Sequence, residues 1–115
     1  MTDDPYAGAV MPVTDASYVA RVIDSPVPVL LAFLKYPDST SQALRPILTD
    51  VAQQRPEHLR VAIIDAATNP QTTDRWGITQ IPTMVLFHRG VMQRVLLGVR
   101  PAARLLDEID EAFSR

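Results

Sequence analysis

Short apolar runs alternate along this chain with segments whose apolar residues recur every three or four positions. Residues 10–13 form a brief apolar run with Pro12 inside it, the least secure strand of the pattern. Tyr18, Val19, Val22 and Ile23 share one face at helical spacing. Thr14 or Asp15 can cap that helix by accepting a bond from an orphan backbone N–H, and Ser25, Pro26 and Pro28 end it. Residues 29–34 are continuously apolar, the pattern of a strand buried on both faces. Residues 35–41 read as a turn. Leu44, Ile47, Leu48 and Val51 then mark the stripe of a second helix, and Pro46 inside it predicts a kink.

Residues 59–64 form another buried strand, ending at Asp65. Asn69-Pro70 opens a short helix, with proline at its first position, that runs to Trp76-Gly77. Residues 83–87 and 91–97 flank His88-Arg89-Gly90 and predict a hairpin. A last helix follows Arg100-Pro101, with Leu105, Leu106, Ile109, Ala112 and Phe113 as its apolar stripe. Met84 and Met92 read as core filler. The order is β-α-β-α-β-α-β-β-α, an α/β domain. Strands separated by helices imply parallel crossovers, and the hairpin adds an antiparallel pair, so a central mixed β-sheet lies between helices. Residues 1–11 read as a flexible N-terminal lead-in and 12–115 as the domain.

Composition narrows the function. The 115 residues are 47% hydrophobic, enough for one core, and the net charge of -2 lacks the basic excess of a general nucleic-acid binder. No run reaches the roughly 18 apolar residues of a membrane span, and the N-terminus lacks a signal-peptide pattern. The expectation is a cytoplasmic protein with neither nucleic-acid nor membrane partners. There is no cysteine, which excludes disulfides and cysteine-ligated metal sites. The two histidines, His58 and His88, stand apart from any acidic cluster, so no metal site and no cofactor is expected. A catalytic Ser41 would need a nearby base, for which these two histidines are the only imidazoles in the sequence.

From residue 12 to 113 the chain resembles thioredoxin. The resemblance rests on Arg75-Trp76-Gly77-Ile78-Thr79-Gln80-Ile81-Pro82-Thr83, which is similar to the family's aromatic-Gly-Ile-x-x-Ile-Pro-Thr segment. It rests also on Pro46-Ile47-Leu48, Asp65, Pro70, Gly90 and Gly98. It implies the thioredoxin fold, with Pro82 as the cis-proline. Where the family carries Trp-Cys-Gly-Pro-Cys, this chain has Pro37-Asp38-Ser39-Thr40-Ser41. Asp38 stands in the attacking cysteine's place and Ser41 in the resolving one's. The family's buried aspartate and its lysine neighbour, which help move the resolving thiol's proton, correspond to Ala32 and Ile63.

The expected function is therefore a redox-inactive thioredoxin-like protein, not an enzyme. It would act as a protein- or peptide-binding module or an assembly chaperone, akin to the cysteine-free thioredoxin-like proteins of hydrogenase maturation. The partner would be a protein or extended peptide held by a surface of Tyr36, Pro37, Asp38, Ser39, Thr40, Ser41, Trp76, Gln80, Ile81 and Pro82. The chain has no expected catalytic residue. Two other readings stand beside this one. One is an enzyme that binds a glutathione-like thiol cosubstrate through a hydroxyl of Ser39, Thr40 or Ser41. The other is a structural subunit of a larger complex. Each residue of the surface also has a packing role open to it: the 38–41 turn can simply cap a helix, and Trp76 can be half-buried core.

Overall fold

The computed structural model describes residues 5–114. Its elements are β1 (Val10–Val13), a single π-type turn (Val19–Ile23), β2 (Val29–Leu34), α1 (Ser39–Gln54), β3 (Arg60–Asp65), α2 (Pro70–Arg75), β4 (Thr83–His88), β5 (Val91–Leu97) and α3 (Ala102–Ala112). The five strands lie in the order β1-β3-β2-β4-β5. β1, β3 and β2 are parallel, whereas β4 runs antiparallel to β2 and β5 to β4. This is the expected mixed sheet.

Every residue of β2 is buried, because neighbouring strands cover both its edges and packed layers cover both its faces. On one face Leu30, Ala32 and Leu34 meet Leu44, Leu48 and Val51 of α1 and Leu105 and Ile109 of α3. On the other, Val29, Leu31 and Phe33 meet Tyr18 and Val22, with Trp76, Ile78 and Ile81 packed at the margin. Among the described residues no helix is long and apolar enough to cross a membrane.

The structure departs from the hydrophobic pattern at the chain's beginning. The Asp24 N–H bonds to the Val19 carbonyl at 2.9 Å, an i→i+5 closure that widens the turn. Val19 is thereby 56% exposed while Val22 is buried. The ordered domain also starts before residue 12. Val10 pairs with Val61, Met11 is buried, and the Arg21 guanidinium lies 5.4 Å from the Tyr6 ring centroid. The first four residues of the expected lead-in, and Arg115, lie outside the described residues. α1 runs on through Pro46, which faces solvent. The β4–β5 turn needs glycine twice over. Arg89 and Gly90 have φ of 53° and 78°, the left-handed pair of a two-residue hairpin. A Cβ on Gly90 would also sit 3.1 Å from Ile23 Cγ2.

Neither Thr14 nor Asp15 caps the Val19–Ile23 turn, whose N-cap Tyr18 has no side-chain cap bond; Thr14 closes the chain just ahead of it. The Thr14 hydroxyl accepts from the Ser17 N–H at 3.3 Å. Asp15 instead caps α2 from across the fold: its carboxylate accepts from the Thr72 N–H at 2.8 Å and the Gln71 N–H at 3.2 Å. Asn69, at the N-cap of α2, makes no side-chain cap of its own and accepts from the Asp15 N–H at 2.9 Å. Desolvation pushes the Asp15 carboxyl up, but the bonds from the Thr72 backbone and side chain and from the Gln71 backbone outweigh it. The pKa therefore lies below the ordinary 3.8. A folded pKa below the unfolded one means the stabilisation is full above 3.8 and drains as pH falls through the folded value. Asp15→Ala should melt below the wild type at neutral pH, and that gap should close on acidification below 3.8, as followed by thermal melts at stepped pH.

Candidate functional site

Strand register gathers the site. Phe33 at the end of β2 pairs with Thr83 at the start of β4, and Thr83 pairs with Leu97 at the end of β5. The turn leaving β2, the loop entering β4 and Gly98 after β5 therefore share one end of the sheet.

Asp38 is the N-cap of α1. Its Oδ2 accepts from the Ser41 N–H at 2.8 Å, and its own N–H donates to the Lys35 carbonyl at 3.1 Å. The Ser41 Oγ accepts from the Lys35 N–H at 3.1 Å, and Ser41 is only 1% exposed. The two residues that replace the cysteines are thus occupied in closing the turn. Ser39 and Thr40 face solvent, and Tyr36 is 69% exposed. Behind the turn, Ala32 is fully buried and lies opposite Ile63 in the β2–β3 register, an apolar pair at the positions of the family's aspartate and lysine.

The neighbouring loop is shaped by the Thr83 hydroxyl, which donates to the Gln80 carbonyl at 2.5 Å. Ile81–Pro82 is a cis peptide, as the resemblance implies, and so is Tyr36–Pro37, which no sequence signal distinguished. Pro82 is buried, Ile81 half-buried and Gln80 exposed. The backbone N–H and C=O of Ile81 have no hydrogen-bond partner among the described residues. That edge can accept an extended chain.

Trp76 does not join this surface. Its Nε1 donates to the Tyr18 hydroxyl at 2.5 Å, and its ring meets Phe87 edge-on at 5.0 Å. Phe87 pairs with Val29 at the far end of β2, four residues from Thr83, or about 13 Å along the strand. Trp76 takes the packing role instead. Burial pushes the Tyr18 phenol above its ordinary 10.0, against the hydrogen bond from Trp76 and the influence of Arg75. His88 also lies at the far end, its ring edge-on to Phe113 at 5.4 Å, and His58 sits in the turn before β3. Ser41 has neither as a base. No group of three or more potential metal ligands occurs among the described residues.

Beside the turn the structure opens a cleft of about 260 Å³ that periodicity did not reveal. Lys35, Tyr36, Arg45, Asp65 and Thr68 line it, brought together from β2, α1 and the end of β3. It falls just short of the roughly 300 Å³ at which small-molecule sites begin.

Two substitutions test these contacts. Ser41→Ala takes the acceptor from the part-buried Lys35 N–H, and should cost about 1 kcal/mol in urea unfolding. Trp76 is the only tryptophan, so Tyr18→Phe should shift its emission and cost about 1 kcal/mol, with fluorescence-detected unfolding reading both.

The thioredoxin family profile matches residues 9–111. The thioredoxin of Mycobacterium tuberculosis is 34% identical over 111 residues, which cover 96% of this chain and 95% of that protein. The bifunctional thioredoxin reductase/thioredoxin of Mycobacterium leprae is also 34% identical over 111 residues, but this chain spans only 24% of its length. Thioredoxin 1 of Synechococcus elongatus is 28% identical over 99 residues, 86% of this chain and 92% of that one. These likenesses overturn the expected role as a binding module or assembly chaperone. Near-full-length relatives are thioredoxins by name, which indicates redox thioredoxin function around this chain. The thiol-cosubstrate enzyme and the structural subunit fall with it, since the same relatives point to neither.

Proposed function

The chain belongs to the thioredoxin family, and we propose that it serves thioredoxin-type thiol–disulfide exchange from beside the electron path. It takes thioredoxin's place at a protein of that system and slows turnover there. The observation that carries this reading is the turn at 38–41. A thioredoxin scaffold holds, at the two sulfur positions, a carboxylate and a hydroxyl whose polar atoms close the turn. With no cysteine in the chain, no thiolate attacks or resolves a disulfide. A partner's thiolate arriving here finds no sulfur to bond, so the encounter ends in dissociation.

The partner is a reductase or a disulfide-bearing substrate protein. It is met at Tyr36, Pro37, Ser39 and Thr40, and along Gln80, Ile81 and Pro82, where the open Ile81 backbone supports pairing with an extended segment. Asp38 and Ser41 shape that surface from within. The protein acts without catalysis, in the cytoplasm. The name of the Mycobacterium leprae relative, which joins reductase and thioredoxin in one chain, favours a reductase as the first partner to examine.

The test is a reconstituted mycobacterial thioredoxin, thioredoxin reductase and insulin assay. Adding this protein should raise the apparent KM for thioredoxin and leave kcat unchanged, and Tyr36→Asp should relieve the effect. Unchanged rates with the protein in large excess would overturn the reading. A second experiment asks whether the turn retains family geometry. Asp38→Cys combined with Ser41→Cys should form an intrachain disulfide and reduce insulin above the wild type. Its activity should stay below that of the Mycobacterium tuberculosis thioredoxin, because Ala32 and Ile63 provide no proton relay.

A further inference from the structure

The two edges of the sheet are treated very differently. β1 is four residues long and contains Pro12, which has no N–H to offer a neighbouring strand. The Pro12 carbonyl is occupied as well, accepting from Arg21 Nη1 at 2.6 Å. That edge is blunted.

β5 is seven residues long and pairs on one side only, with β4. Of its residues Val91, Met92, Val95 and Leu97 are 44–59% exposed, and Val99 just beyond is 40% exposed. Met92 and Val95 pair with Phe87 and Val85, so they lie on the face of the π-type turn, which ends short of β5. Met92 is consequently not the core filler its pattern suggested. The strand's one cation, Arg94, is withdrawn from the edge: its Nη1 donates to the Glu108 carbonyl and the Glu111 carboxylate of α3, each at 3.2 Å. A long apolar edge without a guarding charge is a template for another strand.

We propose that β5 pairs antiparallel with β5 of a second copy about a two-fold axis at Val95. Three observations select a second copy. First, the blunted β1 edge prevents β5 from adding to the other edge of a neighbour, so the association closes as a dimer and does not run on as a filament. Second, an axis at Val95 sets Val95 against its own copy, and avoids the opposition of two Arg94 side chains that an axis one residue earlier would create. Third, charge is self-complementary along α3. Arg104, Glu108 and Glu111 share one stripe, and the Arg94 bonds place that stripe beside β5. Arg104 has no ion-pair partner among the described residues. An antiparallel two-fold carries Arg104 of one copy toward Glu111 of the other. Leu97 marks the site end of β5, so the two candidate sites lie at opposite ends of one continuous sheet and both stay open.

Sedimentation equilibrium of the full chain tests this. The mass should rise with concentration from 12.7 kDa toward twice that value, and Val95→Lys should remain at the monomer mass with an unchanged circular dichroism spectrum. Since the chain has no cysteine, Val95→Cys can form only an intermolecular disulfide. It should crosslink under mild oxidant faster than Gln53→Cys on the exposed side of α1. A wild type that stays at 12.7 kDa, a dimer that survives Val95→Lys, or equal crosslinking of the two cysteine variants would each overturn the proposal.

Discussion

The register of β2 against its two neighbours is the constraint on which the rest of the molecule depends. Ala32 opposite Ile63 and Phe33 opposite Thr83 decide which loops share an end of the sheet. They bring the 38–41 turn beside the Ile81–Pro82 loop and leave Trp76, His88 and His58 elsewhere. A strand slipped by one residue would turn its apolar set to the wrong face. Here both faces are buried, so the slip would also oppose the packing of α1 and α3 against Leu30, Ala32 and Leu34.

Within that frame, the site shows what replaces sulfur chemistry when a thioredoxin scaffold lacks cysteine. Buried ionisable groups are costly unless paired or needed. Ala32 and Ile63 remove that cost behind the turn. In front of it, Asp38 satisfies a backbone N–H at the start of α1 that no helix satisfies internally, and Ser41 satisfies the Lys35 N–H in the turn before it. A helix N-cap and a buried hydroxyl acceptor each stabilise by an amount on the order of 1 kcal/mol. The same positions that would store redox energy in the family therefore contribute conformational stability here. The turn is held without losing the neighbouring Ile81 backbone as an open edge.

Charge is handled by a similar logic at the periphery. Asp15 caps a helix more than fifty residues away in the chain. Arg21 covers the carbonyl of one edge strand. Arg94 abandons the other edge for α3. Each is a local side chain acting on a distant element, and together they leave β1 closed to pairing and β5 available for it.

The amino-acid sequence by itself determined the element order, the buried status of β2, the identity of the missing groups at Asp38, Ser41, Ala32 and Ile63, and the cis bond at Ile81–Pro82 by resemblance. These are legible because periodicity, apolar runs and motif residues act over a few neighbouring positions. It offered Thr14 or Asp15 as the cap of the first helix, whereas that turn starts at Tyr18 without a side-chain cap and the position of α2 makes Asp15 the cap of a different helix. The family resemblance grouped Trp76 with the turn, whereas Tyr18 and Phe87 hold it toward the opposite end of the sheet. Val19 and Met92 read as interior from their spacing alone. Whether an apolar side chain is covered depends on how the turn is wound and on which helix lies over which strand. Those are relations between distant segments, and only the tertiary structure decides them.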